Sequence, residues 1–260
     1  MPADSLPAAV NPAPPKSQAM VLAAGRGERM RPLTDHTPKP LLAVRGQPLM
    51  QWPMQALARG GFTRLLVNTD WLGGRIEAHF GLQPSPMLRD ALSNQEQIQI
   101  QWSREGLDFG GALETLGGIS RALPHLDDVF WVVAGDVFMP EFVFAREAVD
   151  RLLASGRLGH LWLVPNPPHN PRGDFGLEPS GLALSRAATQ YTFSTVGLYR
   201  RSLFEAPHCP IPPGNPAGIK APLAPLLRAA MDNQLITAEL YTGPWTDVGT
   251  PERLAQLNAP

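Results

Sequence analysis

Short apolar runs alternate with helical periodicities along this 260-residue chain, and that alternation constrains its fold more than any other feature. Residues 19–24, 64–69, 97–102, 129–134 and 160–164 read as short buried strands, bounded by turn residues. Between the early ones, residues 49–59, 73–80, 114–123 and 141–154 carry helical patterns, the first opened by Pro48 and closed by Gly60-Gly61. Successive strand–helix–strand units place their strands in parallel, and a parallel sheet needs helices over both faces. The expectation is an α/β, Rossmann-like domain with a mostly parallel mixed sheet flanked by helices. With 43% hydrophobic and 17% charged residues, the span 19–258 can bury a full core as one domain.

The second half reads differently. Further strands are expected at 192–199 and 235–240, but many of the 29 prolines fall between 165 and 225, where they favour loops. Two short runs, 173–177 and 182–185, flank Pro179-Ser-Gly, a hairpin-like turn. A small β-rich lid over 165–225 is expected at one end of the cleft. Residues 1–18 lack a basic, apolar signal pattern and are rich in proline and small residues, so they read as a disordered extension.

A formal net charge of −1 argues against nucleic acid as a partner. No apolar run approaches the ~18–20 residues of a membrane span. The one cysteine, Cys209, cannot form an internal disulfide and fits a reducing cytoplasm. His36, His79, His125, His160, His169 and His208 show no paired metal spacing. Oligomeric state is not readable, and a monomer is compatible with all of this.

In open α/β sheets, ligands sit beyond the carboxyl ends of the strands. The residues richest in chemistry fall there. After the first strand come Gly25 and Gly27, then Arg29 and Arg31, and then Lys39 set between Pro38 and Pro40. Small residues let a backbone approach a ligand closely, and N–H groups with Arg and Lys suit phosphate oxygens. A nucleoside triphosphate fits such a loop. The dinucleotide fingerprint fails at Met30, where a third glycine belongs, and no Gly-Lys-Ser or Gly-Lys-Thr of a Walker loop occurs. Asp136 follows the apolar strand 129–134, and Asp247 follows the strand at 235–240. Each carboxylate is a candidate Mg²⁺ ligand or, alternatively, a loop or cap residue. Lys39 is either an anion-binding cation, held out of a helix by its flanking prolines, or a solvated surface lysine.

Taken together, Gly25-x-Gly27-x-Arg29, Pro38-Lys39-Pro40, Gly135-Asp136 and Trp245-Thr-Asp247-Val-Gly249-Thr250 resemble the signature of the sugar-1-phosphate nucleotidyltransferases. The wording around Leu22-Ala23-Ala24-Gly25 looks most like the short bacterial branch, with its N-acetylmuramate-1-phosphate uridylyltransferases and its mannose-1-phosphate guanylyltransferase-like enzymes.

The resemblance implies a cytoplasmic enzyme of cell-wall sugar recycling that joins UTP to a sugar-1-phosphate and releases pyrophosphate. It implies Asp136 and Asp247 as ligands of a Mg²⁺ cofactor, and Arg29 and Lys39 as the catalytic cations on the triphosphate. Leu22, Ala23, Ala24, Gly25, Gly27, Glu114, Thr115 and Gly117 would bind the nucleotide. Asp174, Phe175, Ser194 and Lys220 would bind the sugar phosphate, beneath the lid. The chain departs from the family's pattern at the segment 106–112 and at Thr195, where relatives often have glycine. A hexose phosphate with a guanine nucleotide, or a non-catalytic sugar-nucleotide-binding module on the same fold, are the alternatives.

Overall fold

The computed structural model describes residues 16–81 and 98–259. The expected extension therefore falls largely outside the described residues, as does Gln97 of one expected strand. Seven strands form the central sheet: β1 (Ser17–Ala23), β4 (Arg64–Thr69), β5 (Gln99–Arg104), β6 (Leu126–Ala134), β8 (Gly159–Val164), β11 (Thr192–Arg200) and β12 (Ile236–Leu240). Their order is β12-β8-β11-β6-β1-β4-β5. β1 runs parallel to β4 and β6, β4 to β5, and β12 to β8, while β11 is antiparallel to both β6 and β8. The sheet is thus mixed and mostly parallel.

β1 begins at Ser17, two residues ahead of the expected start, and Ser17 is buried. Residues 17 and 18 belong to the sheet, which corrects the boundary placed at 18.

The helices are α1 (Gln51–Arg59), α2 (Gly73–Phe80), α3 (Glu105–Phe109), α4 (Glu114–Ala122), α5 (Arg146–Ser155), α6 (Ala224–Asp232) and α7 (Pro251–Asn258). Successive residues of one strand point to opposite faces, so a sheet covered on both sides needs continuous apolar strands. Ala19, Val21, Trp131 and Val133 enter one core with Met54 and Leu57 of α1; Met20, Phe130 and Val132 enter the other with Ile119 of α4 and Leu227 of α6.

α5 starts at Arg146 rather than at 141. Phe142 and Phe144, in extended chain ahead of it, stack edge-on against Trp131, so aromatic burial overrides the helical pattern there.

The lid expectation is met in part. The one small hairpin in 165–225 pairs β9 (Gly176–Leu177) with β10 (Ala183–Leu184), and its turn closes through Gly181 N–H to Glu178 O at 2.9 Å. β11, which also lies in that span, is instead an inner strand of the main sheet. Two further ladders matter for the site. β2 (Ala43–Val44) pairs with β3 (Gln47–Pro48), and β7 (Val137–Phe138) pairs antiparallel with β13 (Thr246–Asp247). A third apolar cluster, Met30, Leu42, Val44, Leu49, Phe138 and Val248, fastens the Gly25 loop onto this second ladder.

Candidate active site

The loop after β1 is held by short-range geometry. Gly27 adopts φ +69, a left-handed conformation that glycine tolerates best, and its carbonyl accepts from Thr34 Oγ1 at 2.9 Å. Three single 3₁₀ turns follow, at Glu28–Met30, Leu33–Asp35 and Lys39–Leu41. Lys39 therefore opens a 3₁₀ turn, a correction to the expectation that its prolines keep it out of any helix. Pro40 is tolerated because the first N–H groups of a helix have no intrahelical acceptor.

The turn points Lys39 inward. It is 8% exposed, and its Nζ forms a close ion pair with Asp136. Met30 is buried beneath the loop, whereas Arg29 is exposed and its guanidinium approaches Gly249. Arg31 pairs with Asp35 at 2.8 Å on the surface.

Asp136 and Asp247, about 110 residues apart in sequence, are brought together by the β7–β13 ladder. Asp247 pairs in register with Val137, and Val248 N–H donates to Asp136 O at 2.9 Å. Asp247 accepts from Arg253 of α7 and lies 2.9 Å from His169 Nε2. Asp136 sets one carboxylate at the cavity, and Asp247, on the strand paired with Val137, offers a second; both are hard oxygen donors, the ligands Mg²⁺ prefers. Among the described residues no cluster of three or more Asp, Glu, His or Cys could cage a metal alone. That donor set fits a Mg²⁺ held by one or two carboxylates, with substrate phosphates completing the shell.

A cavity of about 610 Å³ opens at the carboxyl ends of β1, β4 and β6. Leu22, Ala24, Gly25, Glu114, Thr115 and Asp136 line it, together with Phe175, Phe193, Thr195, Leu223 and Leu227. A Cβ at Gly25 would meet no protein atom within 4 Å, so the space over that backbone is open to a ligand.

The chain matches the family model described as nucleotidyl transferase over residues 18–177. The N-acetylmuramate alpha-1-phosphate uridylyltransferase of Neisseria meningitidis is 43% identical over 252 residues, which cover 93% of this chain and 97% of the relative. The enzyme of the same name from Caulobacter vibrioides is 36% identical over 116 residues, 42% of this chain and 41% of that one. This chain belongs to the nucleotidyl transferase family. A crystallised Bacillus anthracis protein, designated a glucose-1-phosphate thymidylyltransferase, shares the fold at a TM-score of 0.72 and 18% identity, covering 93% of this chain and 94% of that chain.

In this nucleotidyltransferase the expected site residues are only partly gathered at the cavity. Ala23 N–H donates to Asn68 Oδ1 at 2.9 Å and so fixes the end of β1 without lining the cavity. Gly117 lies behind the wall, where its Cβ would meet Ile219 O at 2.3 Å. Leu116 and Gly117 N–H both donate to Ala221 O, which satisfies the first turn of α4.

Asp174 spends its carboxylate on Phe193 N–H at 2.8 Å and Asn170 Nδ2 at 3.2 Å, so it shapes the loop that presents Phe175 and Phe193. Ser194 is fully buried; its hydroxyl donates to Trp162 O at 2.6 Å, and the cavity wall is made by its neighbours Phe193 and Thr195. Lys220 is exposed and lies over Gly111, beside the wall residue Pro222.

Two residues that contact the expected site escaped the sequence reading. His169 reaches Asp247 from a loop, with no local pattern to mark it. Glu105 is fully buried at the cavity. Its Oε1 accepts from Asn68 Nδ2 and its Oε2 from Leu113 N–H, both at 2.7 Å. It ties the β1–β4 end, through Asn68 and Ala23, to the loop that carries Glu114. Placing the end of β5 at Arg104 instead of 102 would have exposed it as the next residue after a strand.

Burial pushes the Glu105 carboxyl above its ordinary value of 4.5, against the two hydrogen bonds that favour the anion. The folded state therefore holds this proton more tightly than the unfolded chain. Its contribution to stability is complete below about pH 4.5 and is lost as pH rises through the raised folded value. Melting curves across acidic to neutral pH should show that component in the wild type, and Glu105→Gln should lack it. Parallel pH profiles for the two proteins would contradict this.

Gly118 packs against the same carboxylate, and a Cβ there would lie 2.6 Å from Glu105 Oε1 and 3.1 Å from Asn68 Nδ2. A helical Gly→Ala change usually stabilises by about 0.5–1 kcal/mol. Here Gly118→Ala is expected to destabilise by about 2 kcal/mol, seen in denaturant unfolding, because the buried network must be forced apart. An unchanged or raised unfolding midpoint would show that the network yields.

Proposed function

We propose that this chain is a Mg²⁺-dependent uridylyltransferase that joins UTP to N-acetylmuramate-1-phosphate and releases pyrophosphate, in the cytoplasm, as a step in the reuse of cell-wall sugar. The observation that carries the reading is the full-length likeness to the Neisseria enzyme, joined to a buried Lys39 paired with the cavity-lining Asp136 and to Asp247 on the adjoining strand.

An oxygen of the sugar phosphate attacks the α-phosphorus of UTP in line. The new P–O bond forms as the bond to the β-phosphate oxygen breaks, and pyrophosphate leaves with both electrons. A phosphate monoester is already ionised near neutral pH, so no general base is required, and catalysis consists of alignment and charge neutralisation.

Gly25 and its neighbours Leu22, Ala24 and Gly27 bring backbone close to the phosphates. Lys39, released from its pairing with Asp136, neutralises the α-phosphate, and Arg29 reaches the outer phosphates. Asp136 and Asp247 would hold Mg²⁺, which when bound offsets charge on the phosphate oxygens. Glu114 and Thr115, at the end of the cavity next to Asn68, face the nucleoside.

Pyrophosphate release should be assayed with UTP, GTP and dTTP, each against N-acetylmuramate-, N-acetylglucosamine-, glucose- and mannose-1-phosphate, with Mg²⁺ and with a chelator. UTP with N-acetylmuramate-1-phosphate should give the highest kcat/KM, and the chelator should stop the reaction. A preference for GTP with mannose-1-phosphate would move the assignment to the guanylyltransferases. Sugar-nucleotide binding without any turnover would make the chain a regulatory module.

A further inference from the structure

The cavity lining combines two kinds of side chain. One set is polar, with Asn68, Glu105, Glu114 and Thr115. The other is Phe175, Phe193, Tyr199, Leu223 and Leu227, with one half-buried polar side chain, Thr195, between Phe193 and Tyr199 in sequence.

Thr195 sits where the register between β11 and β8 breaks, between Phe193 and Gly197, and its backbone is left-handed at φ +66. A β-branched residue is disfavoured there, at a cost on the order of 1–3 kcal/mol. Its Oγ1 is shut from solvent and has no hydrogen-bond partner. The Tyr199 hydroxyl, behind the same wall, has none either. Buried hydroxyls are normally satisfied, so strain and an unmet hydrogen bond at one cavity-lining residue together point to a ligand. Of the six non-glycine residues with left-handed backbone among the described residues, only Thr195 and Glu114 line the cavity.

We propose that Thr195 is a specificity-determining residue that selects an N-acylated sugar phosphate as acceptor, its hydroxyl donating to the acyl carbonyl oxygen while the acyl methyl lies against Phe175, Phe193 and Leu227. This rests on the proposed reaction, in which the nucleoside takes the polar lining and leaves the apolar lining around Thr195 to the acceptor. An acyl amide offers an acceptor oxygen beside a methyl group, which suits one hydroxyl set in an apolar wall. Because Oγ1 is shut from solvent, pairing with a ligand requires one staggered step about χ1, which carries the hydroxyl to a different position on Cβ. A bare hexose phosphate could pair a hydroxyl with Thr195 but has no methyl to set against Phe175, Phe193 and Leu227.

The test is the ratio of kcat/KM for N-acetylglucosamine-1-phosphate to that for glucose-1-phosphate, with saturating UTP, in wild type, Thr195→Val and Thr195→Ser. Valine keeps the branching and removes the hydroxyl; serine keeps the hydroxyl. The wild type should favour the acylated sugar, Thr195→Val should lose about tenfold of that preference, and Thr195→Ser should retain it. The KM for UTP and the melting temperature should stay level, which a merely structural role would not predict for a variant with altered acceptor choice. An unchanged ratio in Thr195→Val, or a wild type with no preference for the acylated sugar, overturns the role of Thr195 and leaves the reaction standing. A wild type that releases no pyrophosphate with any sugar phosphate overturns the reaction as well.

Discussion

Replacing Asp136 with asparagine is expected to lower kcat by about 10³-fold, roughly 4 kcal/mol of transition-state stabilisation, with little change in fold. The carboxylate has two duties. It faces the buried Lys39 in the unliganded protein, and in the proposed reaction it would hold Mg²⁺. Asparagine retains an oxygen for Lys39 Nζ, so the lysine is not left without a partner, and the melting temperature should move by no more than about 3 °C. The amide is a far weaker ligand for a hard cation, so raising Mg²⁺ should restore only part of the lost rate. Steady-state kinetics against Mg²⁺ concentration, together with a melting curve, read both effects. An Asp136→Asn protein with undiminished, Mg²⁺-dependent turnover would remove Asp136 from the metal site.

Removing Glu105 should be the largest stability change at the site. Glu105→Ala strands two buried donors, the Leu113 N–H and the Asn68 amide, each bonded at 2.7 Å in the native protein. An unsatisfied buried donor costs about 1–3 kcal/mol, so a loss of about 3 kcal/mol is expected, equivalent to ~8 °C in melting temperature. The same carboxylate spans from the end of β1 to the loop bearing Glu114, so its loss should also raise the KM for UTP more than it lowers kcat. Calorimetry gives the first quantity and initial rates the second. A stable Glu105→Ala protein with normal UTP affinity would show that the two loops are held by other contacts.

The parallel half of the fold was legible because local pattern and tertiary position agree there. β4 and α2 lie at the expected residues, since a strand built on the apolar run Leu65-Leu66-Val67 and a helix bounded by turn residues leave few alternatives. β11 was found as a strand but not as an inner one. Its place between β6 and β8 depends on pairing across long stretches of chain, which periodicity does not encode.

Motif spacing singled out Lys39, Asp136 and Asp247, and Lys39 pairs with Asp136, but the device that sets Asp247 beside the strand following Asp136 was not legible. It is a ladder of two-residue strands, too short to leave a periodic trace. Ser194 and Asp174 carry site-like surroundings in sequence, but their polar atoms are taken up by Trp162 O, Phe193 N–H and Asn170. Glu105 reaches Asn68 and Leu113, and His169 reaches Asp247, only because the chain folds back upon itself.

The central claim is the transfer of a uridylyl group to a sugar phosphate. The direct measurement uses UTP labelled at the α-phosphate, incubated with N-acetylmuramate-1-phosphate, Mg²⁺ and the protein, with the labelled products separated by chromatography. The account predicts label in UDP-N-acetylmuramate, matched mole for mole by pyrophosphate. Label that stays in UTP, or that appears only in UMP or UDP, would contradict it.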